Sequence, residues 1–135
     1  MTDNNTKPNL NEVAAAAVRA AVPTGTKSLP HHKLHAYGVA LLLLRAVRDS
    51  HVRDTKLRDE ALRSAKSACL NCAEGAGRVT RADKARSFTI ARAEACEAAA
   101  AVEIAAEVGD ARAEDAVRVI EVTDRLVAML TRLIR

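Results

Sequence analysis

A chain of 135 residues, 49% of them hydrophobic, has the material for one domain with one core. It has one Tyr, one Phe and no Trp, which argues against base stacking on single strands and leaves little of the aromatic patterning that strands favour. The formal net charge of +4 permits a polyanionic partner without requiring one.

Residues 1–30 read as an extension. Met1–Pro8 is polar and Asn-rich, a composition expected to be disordered. The opening MTDNNTKPNLNE lacks the basic region and unbroken apolar core of a signal peptide. The longest apolar run, Ala36–Leu44, is too short to span a bilayer, so a soluble cytoplasmic protein is expected. Asn11 is placed to cap a short helix over Glu12–Val22, which Pro23 ends. Thr24–Pro30 reads as linker. The extension is then either a loose tail or an arm that lays its apolar face on a neighbour.

The first long helix is expected from His32 to Val52. Leu34, Tyr37, Leu41 and Leu44 mark one face, and Val39, Ala40, Leu42, Leu43, Ala46 and Val47 make it apolar nearly all round. Such a helix must be covered on several sides. A second subunit is the simplest cover in so small a chain, with Val39, Leu42, Leu43 and Ala46 as the expected oligomer interface. The next helix, about Lys56–Glu74, starts at a cap on Asp54 or Thr55. Gly75 and Gly77 are expected to let the chain leave it, because glycine takes positive φ without strain. Thr80 can cap the third helix, with Asp83 completing a partial capping box. That helix runs to about Val108, and Gly109 stops it. Asp110 can cap the last helix, Ala111–Arg135. Four long helices with short connections predict an all-α, up-down-up-down antiparallel four-helix bundle over residues 31–135.

Charge is unevenly distributed along this scheme. In an up-down bundle one end collects Lys33, Arg78, Arg81, Lys84, Arg86, Arg132 and Arg135, together with His31 and His32. Arg81, Lys84 and Arg86 sit at a helix start, where positive charge costs about 0.3–1 kcal/mol each. Local stability does not explain them, whereas an anion would. This end is the candidate nucleic-acid site, reading phosphates rather than bases. Cys69-Leu70-Asn71-Cys72 is a CxxC, but it lies late in a helix rather than at the N-terminus that activates a thiolate, so it reads as core filler. Three Cys with no suitably placed His do not make a zinc site. No metal, cofactor or catalytic set is expected, and the chain does not read as an enzyme. Asn71, Glu74 and Arg92 could form a buried polar network that fixes helix register.

The run LRSAKSACLNCAEGAGR followed by DKARSFTIARAEACE resembles the "four helix bundle protein" family. Its members include proteins encoded in intervening sequences of bacterial large-subunit rRNA genes and the accessory variability determinant of diversity-generating retroelements. The residues that carry the resemblance are Asn71, Glu74, Gly75, Gly77, Arg78, Phe88 and Arg92, in that order and spacing. The chain departs from the family pattern at Cys69 and Cys72 and at Ala93-Glu94. The resemblance implies a four-helix bundle assembled into a homopentameric ring. For the retroelement branch it also implies nucleic-acid binding beside a reverse transcriptase. Two functions are thus expected as competitors. One is a homo-oligomer that binds DNA or RNA through its basic end. The other is an adaptor, with no nucleic-acid role, whose N-terminal arm docks on a protein partner.

Overall fold

A computed structural model describes residues 7–135. The expected disorder of Met1–Pro8 therefore falls mostly outside the described residues. Those residues form five α-helices and one short 3-10 turn, with no strand among them. The helices are α1 (Leu10–Ala21), α2 (His35–Asp49), α3 (Thr55–Gly77), α4 (Arg81–Glu107) and α5 (Ala113–Ile134), and the turn is Pro30–Lys33. No helix among the described residues is long and apolar enough to cross a membrane.

Several boundaries differ from expectation for local reasons. Asn9, not Asn11, caps α1. Its side chain accepts from the Glu12 N–H at 2.9 Å, and its own N–H donates to the Glu12 carboxylate at 3.3 Å. The pair is a reciprocal capping box; three residues beyond Asn11 stands Ala14, which has nothing to return. α2 starts later than His32 because Pro30–Lys33 wind into the tighter turn, where His32 Nδ1 accepts from the Leu29 N–H at 2.9 Å. Asp54 caps α3 through the Leu57 N–H at 2.8 Å, and Thr80 caps α4 through the Asp83 N–H at 3.2 Å. Gly109 reverses the chain after α4 with φ +82°, as expected of it. α5 starts two residues late, after Arg112, with no capping bond from Asp110.

Gly75 has another role than the one expected. α3 continues through it to Gly77, and neither glycine has positive φ. A Cβ on Gly75 would run into the buried Phe88 ring, 2.7 Å from Cδ1 and closer still to Cε1. The glycine makes room for the one large side chain of a seam otherwise built from small residues, alanines above all. Ala61, Ala65 and Ala68 of α3 and Ala91, Ala95 and Ala98 of α4 are all fully buried. Side chains this small let the two axes approach closely. Larger residues fill the centre: Val39 and Leu43 of α2, Val102 of α4, and Val119, Leu126 and Leu130 of α5.

α2 is apolar nearly all round, but the cover comes from within the chain. It touches α1, α3 and α5. Ala14 and Ala17 of α1 are buried, and Gly38 of α2 lies so close to α1 that an added Cβ would stand 2.8 Å from the Ala14 carbonyl oxygen. Val39, Leu43 and Ala46 are therefore buried by the chain's own helices and have no surface left for another subunit, while Leu42 is half-buried. Over Leu10–Ala21 the extension is correspondingly not a loose tail. It is a helix packed on its own bundle, tied also to α5 by Arg125 donating to the side-chain Oδ1 of Asn11 at 3.3 Å.

Candidate nucleic-acid interface

The seven expected cations occupy three places. Lys33 ends the 3-10 turn, Arg78 to Arg86 surround the α3–α4 connection, and Arg132 and Arg135 end α5. Lys33 and Arg132 line one cleft of about 300 Å³ with Leu34, His35, Met129 and Leu133. The turn also packs on α3. The His31 ring meets Tyr37 of α2 edge-on at 4.7 Å, and the hydroxyl of Tyr37 is raised in pKa by burial and by the nearby Cys69 and Cys72 of α3. The turn thus packs on α2 and α3.

Two of the seven are already engaged. Lys84 is half-buried, and its ammonium donates to the carbonyls of Gly75 at 3.2 Å and Ala76 at 3.1 Å. It satisfies the last carbonyls of α3, which the helix itself leaves open. Arg78 pairs with Glu74 one turn before it. Lys33, Arg81, Arg86, Arg132 and Arg135 are exposed, and no carboxylate among the described residues pairs with them. Arg81 opens α4, where the helix dipole opposes its charge, and Arg86 follows in the second turn. Burial and then His32 hold the imidazole of His31 below the usual range.

The expected polar network does not form. Asn71 donates to the Ser67 carbonyl at 2.9 Å within its own helix, Glu74 serves Arg78, and Arg92 donates to the Thr131 hydroxyl at 3.0 Å. Arg92 thereby joins α4 to α5 instead of α3. Cys69 and Cys72 are buried, and desolvation pushes both thiols up to about 12, so neither is a nucleophile near neutral pH. Cys96 is an exposed thiol on α4.

Sequence reasoning missed two features. Arg63 of α3 stands among Glu60, Glu94 and Glu97, at 3.7 Å from Glu94 and 3.4 Å from Glu97. It holds the Glu60 carboxyl below the usual range, while the hydrogen-bonding interaction with Glu60, and then loss of solvent, raise that of the exposed Glu97. The other is an open seam between α2 and α3, floored by Leu41, Leu44 and Leu62 and edged by Arg45, Arg48 and Lys66. Its signal was present as Arg58, Leu62 and Lys66 at four-residue steps facing Leu41, Arg45 and Arg48.

The model of the 23S rRNA-intervening sequence protein family matches residues 32–132. No curated protein matches the chain. The matched segment takes in the 3-10 turn from His32, all of α2, α3 and α4, and α5 nearly to its end, and leaves α1 outside.

Proposed function

Because the chain belongs to the 23S rRNA-intervening sequence protein family, we propose that it is a non-enzymatic accessory protein that assembles with copies of itself and holds nucleic acid at its basic end. The observation that carries this reading is the set of five exposed, carboxylate-free cations: Lys33, Arg81, Arg86, Arg132 and Arg135. Their bundle runs up-down-up-down over α2–α5. Gly75 late in α3 meeting Phe88 early in α4, and Arg63 early in α3 reaching Glu97, support that alternation. It brings the starts of α2 and α4 and the ends of α3 and α5 to one end. Repeated around a homopentameric ring, the five cations form a continuous positive rim. Contacts go to phosphates, so binding is weakly sequence-selective and falls steeply with salt. The rRNA in the family's name is a partner of this chemistry. A reverse transcriptase is the protein partner in the retroelement form of the same role.

The test is retention of a labelled RNA or DNA duplex across a salt series. Arg81→Glu with Arg86→Glu and Arg132→Glu should abolish retention and flatten the salt dependence. Lys84→Met, which removes a cation already spent on the end of α3, should weaken retention far less. Equal retention by the triple variant and the parent chain refutes the proposal. The adaptor alternative draws less support, because the helix of the arm is packed on its own α2 and not held out for a partner.

A further inference from the structure

The helices of the bundle are not equally closed. α3 and α4 meet along a tight alanine seam, whereas α2 and α3 part on the outside. Two adjoining clefts lie there, of about 390 and 470 Å³, sharing Arg48 and Leu62. Their floor is apolar, with half-buried Leu41, Leu44 and Leu62 in the smaller cleft and Val47, Val52 and Leu62 in the larger. Their edges carry Arg45, Arg48, Arg53, Arg58 and Lys66, of which Arg48 and Arg53 have carboxylate partners among the described residues, Asp49 and Asp110. An apolar floor between cations is a site for a helix with an apolar ridge and acidic flanks.

The outer face of α4 has that character. Ile90 and Ile104 are 43% and 52% exposed, four turns apart. Between them the exposed Ala93 and Ala100 leave room for close approach, and the exposed Glu97 and Glu103, with Glu107 just beyond Ile104, supply negative charge. Of these acids only Glu97 is paired, with Arg63. Groove and ridge are therefore complementary in charge and alike in apolar character, yet they lie on different helices and cannot meet within one chain.

We infer that the α2–α3 groove of one copy receives the outer face of α4 from a second copy of this chain. This rests on the self-assembly reading above and names the surfaces that would produce it. Because the two surfaces differ, each copy keeps one of each unsatisfied after the first contact. The contact is head-to-tail, and it closes into a ring when the rotation between copies allows.

Light scattering after size exclusion of the full chain tests this, with circular dichroism as the check on folding. The parent chain should elute at a multiple of 14.4 kDa. Arg45→Glu with Lys66→Glu should reduce it to a single chain, as should Glu103→Lys with Glu107→Lys on the other surface. Ile104→Glu is a second variant of the ridge, at a position already half in solvent, and should do the same. Combining all four charge reversals in one chain should restore the assembly, since the surfaces again match. A monomeric parent chain would refute self-assembly itself. An assembly that survives both pairs of reversals, or one that the fourfold variant does not recover, would refute these surfaces and leave self-assembly standing.

Discussion

Replacing Gly38 with alanine should act on α1 and α2 in opposite directions. The new methyl would stand 2.8 Å from the Ala14 carbonyl oxygen and 3.1 Å from the Ala14 Cβ. The first of these is backbone, so no side-chain rotation relieves it, and α1 must move outward as a body. Overpacking of this kind costs about 1–3 kcal/mol. What holds α1 down is of similar size. Burial of the Ala14 and Ala17 methyls contributes about 2 kcal/mol at roughly 0.8 each, and half-buried Leu10, Val13 and Val18 add to it. Within α2 the same substitution gains about 1 kcal/mol of helix propensity. Hydrogen exchange should therefore show amides of Leu10–Ala21 opening about tenfold or more faster, with those of His35–Asp49 as protected as before or more so. Unchanged protection of α1 would refute the close-approach argument. Loss of protection across both helices would show instead that α1 and the bundle open as one unit.

Gly75→Ala should destabilise the whole bundle by about 1–2 kcal/mol in denaturant melts, the clash with Phe88 outweighing the helix gain, and adding Phe88→Leu should recover part of the loss. Iodoacetamide at neutral pH should label Cys96 alone in the folded chain and all three cysteines once it is unfolded, counted by intact mass; fast labelling of Cys69 or Cys72 would contradict their burial. The Asp115 carboxyl, bonded to Arg112 at 2.9 and 3.2 Å, is held below its ordinary 3.8. A lowered folded-state pKa stabilises above the ordinary value, and that stability is lost as pH falls through the folded one. Asp115→Asn should consequently differ from the parent chain near pH 7 and converge on it in acid, as read from melting temperatures across pH.

The helices were legible because their apolar positions recur at three and four residues and their stops are chemically explicit, at Gly109 above all. The residues around α1 were not. Asn9 and Asn11 are equally good caps one at a time, and only the reciprocal bond with Glu12 separates them. Gly75 shows a deeper ambiguity. A glycine near a helix end serves either backbone freedom or lack of volume, and the sequence around it is the same in both cases. The choice was made by Phe88, thirteen residues on, through a contact no local pattern encodes. The inward sides of α2 were misattributed for a related reason: periodicity reports that Val39, Leu43 and Ala46 are covered but not by what. At the candidate site, charge counting found the cations and could not see that Lys84 and Arg78 were already engaged. Engagement is a matter of which carbonyl or carboxylate lies within reach.

The alanine seam between α3 and α4 also decides how this molecule can change shape. A methyl has no rotamers, so two rods meshed through such short teeth cannot slide by repacking, only by separating outright. That pair should behave as one stiff beam under load. Compliance is left to α2, where long leucines with alternative conformers line an unfilled gap, and there the chain can adjust to whatever it grips without loosening its spine.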